Sequence, residues 1–149
     1  MEWYFAILLI LGAFLFMEFM AWFTHKYVMH GFLWILHKDH HYRDGRIIEW
    51  NDLFAVFFAA ISVILMYFGM QSGFDFKFWL GAGVLAYGIA YFLFHDVYVH
   101  KRIRIFESFS NRYLRATVKA HRDHHAPHSH RNFGFLFAPW RYYTEEYRK

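Results

Sequence analysis

Leu53–Met70 reads LFAVFFAAISVILMYFGM, 18 residues without a charge. A hydrocarbon core of about 30 Å needs roughly 17–25 apolar residues to cross it as a helix. The stretch therefore reads as a membrane span, and the chain around it follows. On the N-terminal side, Trp3–Phe23 is apolar except for Glu18. On the C-terminal side, Phe78–Phe94 (FWLGAGVLAYGIAYFLF) is uncharged over 17 residues and stays apolar through Val97–Val99. Three all-round apolar helices could instead be buried in a soluble core. A chain of 149 residues has too little polar surface to cover them. The first span is not a cleaved leader, since it lacks a basic start and a small-residue cleavage site.

Charge supplies the topology. Of 16 Lys and Arg, only Lys77 lies in Gln71–Lys77, and the other 15 lie between Lys26 and Arg46 or from Lys101 onward. Positive residues stay on the cytoplasmic side. The N-terminus is then expected outside, with residues 24–51 and 95–149 cytoplasmic. The same assignment puts all 12 histidines on one face of the membrane. The expected fold is all-α: one domain over residues 1–149, an integral membrane helical bundle with three spans and a cytoplasmic helical cap carrying the histidines. The net charge of +4 raises nucleic acid or anionic lipid as partners. Its location beside the spans favours lipid headgroups, with no nucleic acid. The absence of cysteine excludes disulfides, thiolate haem, iron–sulfur clusters and cysteine zinc sites in this chain.

In the tail, residues 111–125 read as a helix with Ser110 as its cap and Leu114, Val118, His121 and His125 on its inward stripe. Phe133–Trp140 is too short to span and reads as interfacial or re-entrant, with Pro139 blocking helix continuation.

The histidines form a repeated unit. HKYVMH (His25, His30) precedes HKDHH (His37, His40, His41), and HDVYVH (His95, His100) precedes HRDHH (His121, His124, His125). On a helix turning about 100° per residue, the first histidine of H-x2-H-H shares a face with both of the last two. All three can aim at one metal region. The i+5 step of H-x4-H rotates about 140°, so either its rings serve two metals or the helix deforms at its end. Ten such imidazoles left without a metal would cost desolvation or carry charge at mildly acid pH. At four to six ligands per ion they suit two ions, and imidazole accepts iron, zinc, copper or nickel. His128 and His130 fall outside the repeat and read as solvated residues or outer hydrogen-bond partners.

These boxes along a short membrane chain resemble the bacterial β-carotene hydroxylases of the fatty acid hydroxylase superfamily. So do HKYVMHG (His25–Gly31), NDLFAV (Asn51–Val56), AYGIAYFLFHD (Ala86–Asp96) and FGFLFAP (Phe133–Pro139), in that order. The resemblance implies a nonheme di-iron monooxygenase of a bacterial inner membrane. It would use O2 to hydroxylate C3 of β-ionone rings, taking β-carotene to β-cryptoxanthin and then zeaxanthin, with ketolated carotenoids also accepted. The implied iron ligands are His25, His30, His37, His40, His41, His95, His100, His121, His124 and His125, and zinc would give an inactive form. The implied electron donors are ferredoxin and ferredoxin reductase, because no flavin or nicotinamide fingerprint is present. The basic residues Lys101, Arg102, Arg104, Arg112, Arg115 and Lys119 could dock an acidic carrier, though lipid headgroups account better for most of them.

Carboxylates near the ions would accept from ring N–H groups. Glu18, seven residues before His25 and costly inside a span, is the first candidate, and Asp96 the second. Asp52 reads as a cap of the second span, and Asp39 and Asp123 as solvated. Gly81, Gly83 and Gly88 either pack the third span closely or leave a slot for substrate. Other readings are a sterol or fatty-acyl hydroxylase or desaturase, a haem electron-transfer protein, and a membrane metal transporter or store. Haem ligation would need histidines facing each other within spans, and transport sites usually sit at mid-membrane.

Overall fold

The computed structural model describes residues 2–42, 46–103, 110–126, 129 and 131–148. Those residues form helices and connections, with no strand among them. The helices are α1 (Trp3–Phe23), α2 (Trp34–His41), α3 (Asp52–Gln71), α4 (Phe76–Tyr91), α5 (Arg112–His124) and α6 (Trp140–Tyr147). α1 runs on into a π-helical segment, Thr24–Phe32, which is kinked at Gly31 (φ −103°, ψ −126°), and α4 into a second one, Phe92–Val99. Each expected span is long and apolar enough to cross a membrane, with the first and third lengthened by their π segments. Most of their side chains face outward, as lipid contact requires.

α3 and α4 pack as a hairpin, and α1 packs on α4. Between 71 and 77 the chain turns through Gly73 at φ 73°, and Asp75 caps α4 by accepting from the Lys77 amide at 3.0 Å. Small residues set the helix spacing. A methyl group on Gly83 would fall 2.6 Å from the Ile10 carbonyl oxygen, and one on Gly81 would fall 2.8 Å from that of Ser62. Ser62 also donates its hydroxyl to the Gly81 carbonyl at 2.8 Å. Gly88 differs, with nothing within 4 Å of where a methyl would sit. Of the two roles expected for these glycines, Gly81 and Gly83 serve close packing and Gly88 faces open space.

α1 and α4 run side by side in the same direction, since Ile10 meets Gly83 and Phe14 meets Tyr87. Their C-terminal ends therefore finish at one level, which brings the two π segments together. α2 and α5 lie against those ends.

The tail departs from expectation in three places. α5 is capped by Asn111, whose side chain accepts from the Leu114 amide at 2.9 Å, and not by Ser110. Pro139 starts a helix the sequence had not suggested, as the N-cap of α6. α6 packs on α5 around Tyr142, Ala116 and Ala120.

The segment 133–137 is irregular and tucked against α1, with Phe133, Phe135 and Leu136 buried. Its anchor is Glu18. One carboxylate oxygen accepts from the amides of Phe135 (3.2 Å), Leu136 (3.1 Å) and Phe137 (3.2 Å), and the other from the Tyr87 hydroxyl (2.7 Å). An irregular segment packed against an apolar helix must satisfy its amides within the protein, and Glu18 does so for three in a row. Gly134 allows the close wrap, because a methyl there would fall 2.6 Å from the Phe137 carbonyl oxygen.

Candidate metal centre

The H-x4-H boxes lie on the π segments. A π turn bonds each amide to the carbonyl five residues back, adding about one residue to the α-helix turn. Such bonds run from His100 to His95 at 2.9 Å and from Leu33 to Val28 at 3.0 Å. Widening the turn swings an i+5 pair onto one face. The sequence left open whether such pairs serve two metals or deform the helix, and the helix deforms. His25 and His30 accordingly converge, as do His95 and His100, with ring centroids 5.0 and 4.5 Å apart.

The H-x2-H-H boxes behave otherwise. Their three rings do not share one region. His37 and His41 of α2 join His25, His30 and His124 in a group of five, while His40 joins His95, His100 and His121 in a group of four. Within each group one nitrogen per ring lies within 4.8 Å of all the others. The reason is angular. Steps of three and four residues rotate about 60° back and 40° forward, so consecutive histidines diverge by about 100°. α2 and α5 therefore each straddle both groups. His125 belongs to neither tight set, but its ring stacks on His41 at 4.3 Å and lies 4.6 Å from His121. His128 and His130 lie outside the described residues.

The hydrogen bonds identify what the nitrogens can do. His25 Nδ1 lies 2.9 Å from the Phe133 carbonyl, and His124 Nδ1 lies 2.9 Å from that of Arg131. His37 Nδ1 lies 2.6 Å from Asn51 Oδ1, His40 Nδ1 2.8 Å from Glu49 Oε2, and His95 Nδ1 3.1 Å from Asp96 Oδ1. All five partners are acceptors, so each Nδ1 carries the proton and each neutral ring presents a bare lone pair at Nε2. His25 and His37 then face each other, Nε2 to Nε2, at 3.1 Å with no proton between them. Further Nε2 pairs are His37–His41 at 3.2 Å, His30–His124 at 3.0 Å and His100–His121 at 2.8 Å. The Nε2 atoms of His95 and His125 are buried without a hydrogen-bond partner among the described residues. Converging lone pairs repel unless a cation lies among them. The groups fit transition-metal ions on that ground, and a sulfur-free imidazole set suits iron, zinc, copper or nickel.

Burial disfavours the charged form of five of these rings. It is the main cause that lowers His37 and His41 from about 6.5 to about 3 and His125 to about 2, with neighbouring imidazoles lowering them further. His40 and His121 shift the same way for the same reasons. From the membrane side the rings are covered by two aromatics. Phe135 stacks on His25 at 4.7 Å and Tyr91 on His95 at 4.6 Å, and the two meet edge to face at 4.8 Å. Beneath them is an apolar cavity of about 350 Å³ between α1, α3 and α4, lined in part by Met17, Phe58 and Gly88. Asn51, Asp96, Tyr91 and Phe135 line it too, so the cavity adjoins the groups holding the rings.

Several sequence expectations change here. Glu18 binds no histidine among the described residues; its oxygens go to the 133–137 segment and Tyr87. Asp96 does meet a ring N–H. Glu49 and Asn51, which were not among the expected ring partners, do the same from the connection before α3. Asp52 does not cap α3 but accepts from the Glu49 amide and from Arg102. Asp39 accepts from the His40 and Trp50 amides, and Asp123 from the Tyr142 hydroxyl, so neither is idle. Arg102 is not a docking charge: it pairs with Glu49 and with Asp52 at 2.7 Å, and its Nε lies 3.6 Å from Asp96. Arg115 pairs with Glu146 and Lys119 with Glu145. Arg104 lies outside the described residues.

Comparison with known proteins adds a separate line. Residues 10–144 match the family model described as fatty acid hydroxylase. The chain is 43% identical over 126 residues to the "Beta-carotene hydroxylase" of Pantoea ananas, covering 83% of this chain and 71% of that protein. It is 36% identical over 136 residues to the protein of that name from Paracoccus sp. (strain PC1), covering 89% and 83%. "Beta-carotene 3-hydroxylase 2, chloroplastic" of Arabidopsis thaliana is 36% identical over 117 residues, 76% of this chain and 39% of the plant protein. No solved structure matches.

Proposed function

The chain belongs to the fatty acid hydroxylase family, and from that premise we propose that it hydroxylates the β-ionone rings of carotenoids at C3. The observation that carries this is the similarity to proteins named beta-carotene hydroxylase over most of both chains. The convergence of nine imidazoles in two groups, with His125 alongside, next to an apolar cavity supports it.

The two groups would hold two iron ions, the five-membered set one and the four-membered set the other, with His125 completing the second. Bound there, iron supplies the O2 chemistry that an unactivated ring C–H requires, and zinc, having none, leaves the protein inactive. The chain's own residues prepare that site. The Phe133 and Arg131 carbonyls, Asn51, Glu49 and Asp96 fix the proton at Nδ1 and aim Nε2 inward. Phe135 and Tyr91 exclude water from the membrane side. The cavity between the spans admits one end of the carotenoid from lipid, with the ring carried toward the nest. Electrons come from a separate carrier, ferredoxin with its reductase, and the two electrons and two protons of each turnover reduce the second oxygen atom to water. We place the protein in a bacterial inner membrane with the histidines on the cytoplasmic side, in line with the distribution of Lys and Arg.

The test is expression in cells accumulating β-carotene, with extracted pigments separated and identified. β-Cryptoxanthin and zeaxanthin are expected. Unchanged β-carotene in well-expressing, iron-replete cells with reductant supplied overturns the assignment.

A further inference from the structure

The two histidine groups are not held alike. In the group of five, His25 and His124 donate to backbone carbonyls and His37 to the Asn51 amide oxygen, all neutral acceptors. In the group of four, His40 and His95 donate to carboxylates, Glu49 and Asp96. Those carboxylates belong to a partly buried network. Arg102 pairs with Glu49 and Asp52 and lies 3.6 Å from Asp96, so three acids share one guanidinium.

A carboxylate accepting from Nδ1 makes Nε2 a stronger donor to a metal than a neutral acceptor does. It also places negative charge just behind the ring, where a dication gains most. We propose that the two ion sites are inequivalent: the group of His40, His95, His100 and His121 binds its ion more tightly and fills first, and Glu49 and Asp96 are the positioning residues that make it so. Asn51 is the corresponding neutral element of the other site. Arg102 keeps the two carboxylates apart and oriented, and cancels only part of their charge.

This rests on the reading of both groups as ion sites, and the experiment separates the two claims. The full-length protein, purified in detergent and stripped of metal, is titrated with Co(II), followed by its visible absorption. Two steps at least about tenfold apart in affinity are expected. His41→Ala should keep the tight step and His100→Ala the weak one. Adding Glu49→Gln to His41→Ala should weaken the remaining step about 10–100-fold, the usual effect of losing such a partner. Adding it to His100→Ala should leave the remaining step within about twofold, which general loss of structure would not do. Asn51→Asp gives His37 a carboxylate and should strengthen the weak step about tenfold, a gain that misfolding cannot mimic. Two ions bound with equal affinity, the reverse order of filling, or equal effects of Glu49→Gln on both sites overturns the inequivalence and leaves the hydroxylase assignment standing. No ion bound by any form overturns both.

Discussion

Glu18 shows how much one side chain can fix. A carboxylate inside an apolar span is expensive unless it is well bonded, and this one accepts from three consecutive amides and a tyrosine. Through them it holds Phe135 on the His25 ring and the Phe133 carbonyl on His25 Nδ1. Its influence on the nest is therefore indirect. Glu18→Leu leaves four donors without an acceptor, at about 1–3 kcal/mol for each one left buried. The purified protein should lose several kcal/mol, read as a lower unfolding midpoint in detergent, and should weaken metal binding at the group of five. Tyr87→Phe removes one bond and leaves the amides held, so about 1 kcal/mol is expected. Equal effects of the two substitutions would contradict this division.

At the level of helices, spacing and pitch do the positioning. The H-x4-H boxes converge because α1 and α4 end as π segments. Inserting an alanine after Val28 would leave His25 and His30 six residues apart, one more than a π turn brings onto one face. Helix content by circular dichroism should hardly change, while metal bound at the group of five should be lost. Retention of both ions by that insertion would show the π turn to be dispensable. The glycines of α4 give a second contrast. Gly83→Ala drives a methyl into the Ile10 backbone and should destabilise by about 1–3 kcal/mol. Gly88→Ala meets nothing and should be neutral for stability. Gly88→Leu fills the cavity and should lower carotenoid conversion while the unfolding midpoint and metal content hold, as assayed by pigment analysis on matched protein amounts.

For the molecule as a whole, the nest is a liability without metal. Rings held near 3 in the fold return to about 6.5 when the chain unfolds. Between those values the unfolded chain binds more protons, so stability falls as pH falls. The metal-free protein should keep full stability above about pH 6.5 and lose it progressively toward about pH 3. Bound metal occupies the same lone pairs, so the metallated protein should stay folded to lower pH. Unfolding midpoints of chelator-treated and metal-loaded protein at pH 7.5 and 5 check both points. Identical midpoints for the metal-free protein at the two pH values would show that the rings are not buried as neutral ligands.

Three spans were legible in the sequence because bilayer thickness dictates helix length, and Leu53–Met70 meets that length without a charge. The histidine boxes were legible because imidazoles at that density need a common purpose. The sequence also limited H-x4-H to two outcomes. What it could not provide was the partition of the rings. H-x2-H-H was expected to serve one region, yet His40 parts from His37 and His41 because a second helix end offers it separate partners. Nor could it reveal that Glu49 and Asn51 orient rings or that Glu18 grips a distant loop, since each bond joins residues 9, 14 and at least 117 positions apart. Composition and period report what one segment must bury or expose against its solvent. Which donor meets which acceptor depends on where other segments come to rest, and only the folded chain decides that.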